Sequence, residues 1–420
     1  MFSYRKGLMK ILQINTVYKN GGSTGRIAYD LRNIILASGN DAYVAYGYEF
    51  IPLSEEDYEG TYKMCSYPRL QWSKLKTRLF AHHGFYNATE TKRLLKWIDK
   101  IHPDVIHLHN IHNHYIHVKM LFDYIKQHHI PVVWTLHDCW SFTGWCAYFD
   151  MAHCDKWKNG CLGYCPSKSD YPITWFSACN ERNFRDKKDA FLGVENLTLV
   201  TPSQWLADLT RSSFLKVYPV EVINNGVDTN VFRPLCNTGI REKYGIPKEA
   251  KVILALMNMW GKRKGSDYLL ELPKHLKNEE LLVIVGLKKE QLGILPKEHC
   301  LGISRTDDVQ ELAALYSEAA VFLNPTLEDN FPTTNIEALS CGTPIVTFQT
   351  GGSVESVTPN TGIVVGQGDM KGLLSSIREV CAKGKSFYVD TCRKKAVKDY
   401  NKVEQYVKYI ELYKHMFAKK

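Results

Sequence analysis

No stretch of this 420-residue chain is apolar for long enough to span a bilayer, and Met1 to Lys10 lacks the apolar centre of a secretion signal. Both absences point to a cytoplasmic protein. Low-complexity segments and short repeats are also missing, which excludes a disordered tail or a solenoid. No Asp-x-Asp pair occurs, so a motif by which two carboxylates hold a divalent cation is absent and no catalytic metal is expected. Lys and Arg form no dense block, and no nucleic-acid partner is expected even though 53 Lys+Arg outnumber 44 Asp+Glu. The first 220 residues hold 26 of these cations against 20 acids, the remainder 27 against 24. A more basic first half suits a phosphorylated substrate or an anionic membrane surface.

What is present is an α/β rhythm. Ile11–Ile14, Ala42–Tyr46, Val105–Leu108, Pro131–Trp134 and Leu197–Val200 read as strands, with apolar residues at helical spacing in Ile27–Leu36 and Lys119–Gln127 between them. The turn signal Asn224-Asn225-Gly226-Val227-Asp228 precedes a second series of strands: Val252–Leu256, Leu281–Val285, Cys300–Ile303, Ala320–Leu323, Ile345–Phe348 and Gly362–Val365. The expected architecture is two Rossmann-like doubly wound domains, residues 1–233 and 234–399. The segment 400–420, with Val403, Tyr406, Val407, Ile410 and Tyr413 on one helical face, is expected to pack back on the first domain. Ile11–Asn15 is the first core strand, which makes Met9 as plausible a start as Met1.

The most informative segment runs from Leu327 to Pro344. It is flanked by two strand-like runs, so it contains a strand-end loop followed by a short helix. Thr333, Thr334 and Asn335 lie where that helix begins, where backbone N–H groups can hold a phosphate. Asp329 and Glu337, separated by seven residues, can both face the crevice beyond the strand ends and accept hydrogen bonds from sugar hydroxyls. The other reading is a solvated loop acid and a helix acid favoured by the dipole.

Asp329-Asn330-Phe331-Pro332, Glu337-Ala338-Leu339 and Cys341-Gly342-Thr343-Pro344 together resemble the E-x7-E signature of retaining glycosyltransferases of family 4, which have the GT-B fold. Gly21-Gly22-Ser23-Thr24-Gly25-Arg26 resembles that family's first glycine-rich loop. Asn225-Gly226-Val227-Asp228 with Phe232 and Pro234 resembles its interdomain signature, and Arg263-Lys264-Gly265 its phosphate element. The chain looks nearest to bacterial exopolysaccharide and colanic-acid-type enzymes. The resemblance implies that Glu337 holds the ribose, that Asp329 meets the donor sugar, that Gly22 takes part in donor binding, and that the backbone of Phe331, Pro332, Thr333, Thr334 and Asn335 faces the sugar and diphosphate. It further implies that Lys264, with Arg263, neutralises the departing diphosphate. Asp329 stands where most relatives carry Glu, and Asn258 where they carry Arg.

By the same resemblance His137, in Trp134-Thr135-Leu136-His137-Asp138, is the active-site histidine, acting as a base or as a sugar contact. Asp138 orients it or caps the next segment, and His109 joins Asp138 on the acceptor side with His107, His112 and His114 close in sequence. Cys146, Cys154, Cys161 and Cys165 could hold a structural zinc or be packed thiols. The expected partners are a UDP- or GDP-linked sugar and a glycan acceptor, lipid-linked at the inner membrane face. A non-catalytic sugar-nucleotide scaffold and a GT-B nucleotide-sugar epimerase are the rival readings.

Overall fold

The structure is a computed structural model, which describes residues 8–20, 22–49, 51–257 and 259–418. The resembling positions Gly21 and Asn258, and the alternative start at Met1, lie outside the described residues. Contacts divide the chain into two units, Met1–Ile223 with Tyr406–Lys420 and Asn224–Gln405.

The first unit is built on a parallel sheet of β1 (Lys10–Asn15), β2 (Asp41–Tyr46), β3 (Thr61–Lys63), β4 (Val105–Leu108), β5 (Val132–Thr135), β6 (Leu197–Thr201) and β7 (Val220–Val222). Their spatial order is β3-β2-β1-β4-β5-β6-β7. The second unit holds β8 (Lys251–Leu256), β9 (Glu280–Val285), β10 (Cys300–Ile303), β11 (Val321–Asn324), β12 (Ile345–Phe348) and β13 (Gly362–Val365). These are also all parallel, in the order β10-β9-β8-β11-β12-β13. In each sheet the order reverses beside the first strand, at β1 and at β8, and the carboxyl ends there form the crevice in which doubly wound sheets bind ligands.

Local sequence accounts for these elements. A parallel sheet covered on both faces needs strands without a polar face. Val132-Val133-Trp134-Thr135 and Ile345-Val346-Thr347-Phe348 are accordingly buried at every position. The helix Val118–Gln127 buries Val118, Leu121, Phe122 and Ile125, one stripe at helical spacing. Side-chain caps start several helices: Ser203 accepts from Leu206 N–H, Asp308 from Glu311 N–H and Asp369 from Gly372 N–H.

The helix Lys402–Ala418 belongs to both units, since the division falls between Gln405 and Tyr406. Its last three turns seat Tyr406, Tyr409, Ile410, Tyr413 and Met416 against Ile11, Val105 and Val133 of the first sheet. The buried stripe differs from the one read in the sequence. Val403 and Val407 are exposed, while Tyr409, Leu412 and Met416 are buried. The large rings decide the rotation, because each buries more apolar area than a valine.

Candidate active site

Beyond the carboxyl ends of β8 and β11, two loops of the second unit interlock. The loop after β8 makes a turn at Lys262–Lys264 and ends on Gly265, whose φ of +80° suits glycine and where a Cβ would collide with the Pro325 carbonyl of the other loop. Leu327 N–H donates to Arg263 O at 2.8 Å, and the Arg263 guanidinium returns a bond to Glu328 O at 2.8 Å. With the loops tied in this way, Lys264 Nζ reaches Asp329 and forms an ion pair with its carboxylate. Asp329 is 8% exposed, and its other oxygen accepts from Asn330 N–H at 3.0 Å.

The helix that follows spans Thr333–Ser340, so Thr333 and Thr334 form its first turn, and no side chain caps it at Pro332. Phe331 is buried against Tyr400, and its carbonyl accepts from Asn225. The Asn335 side chain is completely buried: it accepts from Asn324 Nδ2 at 2.8 Å and donates to Ser353 and Ser356. Its side chain ties the helix to the turn Ser353–Ser356. Glu337, half-buried one turn into the helix, accepts from Tyr316 O–H at 3.0 Å. Burial holds the Tyr316 phenol well above its usual pKa, so it stays a donor.

In the first unit, histidines line the ends of β4 and β5. His107, inside β4, is fully buried between Tyr413 O–H at 2.6 Å and Thr135 Oγ1 at 2.8 Å, a core position rather than an acceptor contact. His109 Nε2 is 3.0 Å from Gln13 Oε1, and its Nδ1 is 3.2 Å from His137 Nε2. Gln13 turns its amide nitrogen to Ala28 O, so its oxygen faces His109 and the proton of that bond sits on His109 Nε2. Nδ1 of His109 is then an acceptor, His137 donates through Nε2–H, and His137 Nδ1 carries a lone pair. Burial lowers the pKa of His137 to about 4 and that of His109 well below the ordinary value, so both rings are neutral near pH 7.

Asp138 points to a different ring. Its carboxylate lies 2.9 Å from His112 Nε2 and accepts from Trp140 N–H at 2.9 Å, so it caps the next segment and orients His112, not His137. Burial opposes its charge, but His112 and the Trp140 N–H outweigh burial and hold the pKa below normal. His112 also meets Tyr171 O–H at 2.8 Å, and His114 bonds Thr77. Gly22, with φ +92°, stands at the start of the helix Ser23–Ala37 beyond β1. Asn15 closes that turn by donating to Val17 O and Thr24 O.

Two family descriptions match the chain. "Glycosyltransferase Family 4" covers residues 26–176 and "Glycosyl transferases group 1" covers residues 250–383. The chain is 27% identical over 377 residues to the putative colanic acid biosynthesis glycosyl transferase WcaC of Escherichia coli K12, spanning 87% of this chain and 89% of that protein. This chain belongs to the family 4 type glycosyltransferases of the GT-B fold. A D-inositol 3-phosphate glycosyltransferase of Corynebacterium jeikeium is 29% identical over 242 residues, 49% of this chain and 57% of that one. Among solved structures, Thermosynechococcus elongatus sucrose-phosphate synthase superposes with TM-score 0.71 at 16% identity, covering 98% of this chain and all (100%) of that one. Anabaena HepE in complex with UDP-glucose has TM-score 0.66 at 16% identity, covering 96% and 99%.

The glycosyltransferase has features that motif reading did not reach. Gln13 sets the tautomer of the histidine pair, Tyr316 holds Glu337, and the buried Lys187 donates to the carbonyls of Trp140 and Thr143 at 2.7 and 3.1 Å. Desolvation lowers the Lys187 pKa to about 7. None of these lies near a motif in sequence, and only an apolar neighbourhood hints at them. The four cysteines of the insertion do converge, lining one small cavity with Trp145 and Trp157. Burial pushes the Cys161 thiol up to about 11 and raises those of Cys146 and Cys165, which favours protonated sulfur. Among the described residues no group of three or more His, Cys, Asp or Glu is arranged to hold a metal ion. The structural zinc expected at these cysteines therefore finds no support, and packed thiols describe them as placed.

Proposed function

We propose that this glycosyltransferase moves a hexose-type sugar, with retention at the anomeric carbon, from a UDP- or GDP-linked donor to a growing, lipid-linked surface polysaccharide. The domain read from the sequence as residues 234–399, within the second unit, would take the donor, and the domain read as 1–233 with 400–420 the acceptor. The observation that supports the reading most is the Lys264–Asp329 ion pair at the β8 switch point, beside the uncapped turn Thr333–Thr334. A diphosphate arriving at that turn would compete for the ammonium and release the Asp329 carboxylate to accept from a sugar hydroxyl. Lys264, supported by Arg263, would then neutralise the charge that grows on the leaving diphosphate.

Glu337 takes the ribose in this reading. In the first unit a neutral His137 would contact the substrate; with its pKa at about 4 it is a poor base near pH 7, which favours the sugar-contact role. The leaving diphosphate oxygen would accept the proton of the incoming hydroxyl on the same face of the sugar. UDP-glucose in the Anabaena HepE structure supports a uridine donor, and the likeness to WcaC supports polysaccharide synthesis. An enzyme working at the inner face of the plasma membrane fits a lipid-linked acceptor, and among the described residues no helix is long and apolar enough to cross a membrane.

Screening UDP-, GDP- and ADP-sugars for thermal stabilisation identifies the donor, because a ligand that binds only the folded state raises Tm. The stabilising donor should then release nucleoside diphosphate, and Glu337→Ala and Lys264→Ala should each cut that release by about 100-fold. Tight donor binding without turnover across a broad acceptor panel would replace the enzyme by a sugar-nucleotide scaffold.

A further inference from the structure

The helix Tyr67–Phe80 of the first unit has an inverted face. It buries Leu70, Ser73 and Thr77, two of them hydroxyl residues, and turns Trp72, Leu79 and Phe80 to solvent, with Trp72 52% and Phe80 61% exposed. Such a helix gains little by burying its inner stripe, and its large apolar side chains are left in water. Of the helix's cations, Arg78 is exposed and Lys74 and Lys76 are half-buried at its flanks. Between Glu59 and Glu90 there is no acid, and Lys74, Lys76 and Arg78 form no ion pair among the described residues. Lys76 Nζ lies 5.6 Å from the Trp72 ring and 5.9 Å from that of Tyr86. The aromatic rings and the ammonium groups thus occur together.

A second segment extends the same surface. Trp175 N–H donates to Arg78 O at 3.0 Å, and Arg182 donates to Phe80 O at 2.9 Å, which fixes residues 174–182 beside the end of the helix. Arg78 then stands over the Trp175 ring at 5.8 Å. Trp175 and Phe176 are 54% and 63% exposed, and Phe176 borders an open depression of about 750 Å³ that also takes Lys168, Arg182 and Arg185, with Glu181 as its acid. Exposed tryptophans and phenylalanines interleaved with cations, of which Lys74, Lys76 and Arg78 form no ion pair among the described residues, match the headgroup layer of an anionic bilayer: rings enter the boundary with the acyl chains while cations meet phosphates.

We infer that the surface formed by the helix Tyr67–Phe80 and the segment 173–185 is the site at which this protein docks on an anionic lipid membrane. The inference rests on the lipid-linked acceptor proposed above and gives it a location. The segment that carries Trp175 and Phe176 to the surface begins at Tyr171, which is bonded to His112 in the histidine cluster. A lipid-anchored sugar would therefore be delivered from the bilayer along residues 171–176 to the β4–β5 strand ends.

Cosedimentation of the full chain with phosphatidylcholine vesicles, with and without phosphatidylglycerol, tests this. Binding is expected only to the anionic vesicles, falling as salt is raised. Trp72→Ser/Phe80→Ser/Trp175→Ser/Phe176→Ser should weaken it about tenfold or more, and Lys74→Glu/Lys76→Glu/Arg78→Glu likewise. All seven positions lie at the surface or partly so, and circular dichroism with thermal melting checks that both variants fold. Donor-induced stabilisation, measured on the same preparations, should be unchanged. Absence of wild-type binding, equal binding to neutral vesicles, or variants that bind like the wild type would each overturn the docking surface. Loss of donor stabilisation in the wild type would instead overturn the glycosyl-transfer reading and leave the vesicle result to stand by itself.

Discussion

At the residue scale, buried groups help to set the position of the candidate site side chains. Tyr316 has no route to substrate, since it is fully buried, but its O–H fixes the Glu337 carboxylate. Tyr316→Phe removes that single bond, worth about 1 kcal/mol, and should raise the donor KM about fivefold while leaving kcat near the wild-type value. Steady-state kinetics on the identified donor check it; a fall in kcat with unchanged KM would mean that Tyr316 acts elsewhere. The same logic separates His137 from Asp138. Adjacent in sequence, they serve different partners, because consecutive residues leaving a strand point to opposite sides. His137 pairs with His109 and Asp138 with His112.

The strand-end loops dominate at the element scale. The loop after β11 is held from beneath by the turn after β12: Gly352 N–H donates to Asp329 O, and Gly351, at φ +49°, leaves no space for a Cβ against that same carbonyl. Gly351→Ala combines a disfavoured backbone conformation with a backbone collision and should cost about 2–4 kcal/mol. Thermal or urea unfolding measures the loss, and the part of the loop carrying Asp329 should move enough to weaken donor stabilisation as well. Of these elements, most strands were legible in the sequence, since a run such as Val132-Val133-Trp134 has no reading other than a buried strand once helices flank it, whereas β3 and the helices Glu55–Tyr58, Tyr67–Phe80 and Ala88–Ile101 were not read. The loop itself was legible as a motif, but the turn holding it was not. A glycine pair such as Gly351-Gly352 signals a turn without naming the carbonyl it must approach.

For the whole molecule, the charge state of the first unit's core matters most. His83, His107 and His109 are each 1% exposed or less, and burial lowers all three well below the ordinary histidine pKa. Unfolding returns them to about 6.5. Below that pH the unfolded chain binds more protons than the folded one, so stability is complete above pH 6.5 and is lost as pH falls through it. Between pH 7 and pH 5 each ring can withdraw up to about 2 kcal/mol, and Tm should drop steeply over that interval. His137 and His114, lowered by burial to about 4 and about 3, contribute over the same interval, so replacing His107 by Gln should flatten the dependence by about a fifth, measured by melting curves across the pH series. A Tm that stays level from pH 7 to pH 5 would show these rings to be charged when folded.

The sequence by itself determined the doubly wound α/β class, most of the strands, and the loop types beyond β8 and β11, because periodicity, glycine position and helix starts are local properties of the chain. Tertiary structure decided what those local signals could not. It buried the Asn335 side chain among Ser353, Ser356 and Asn324, paired Asp138 with His112, and gathered four cysteines around one cavity without a metal-holding arrangement. It also turned Trp72 and Phe80 outward beside Trp175. Each of these outcomes joins residues distant in sequence, and which polar group finds which partner is settled only when packing fixes the distances between them.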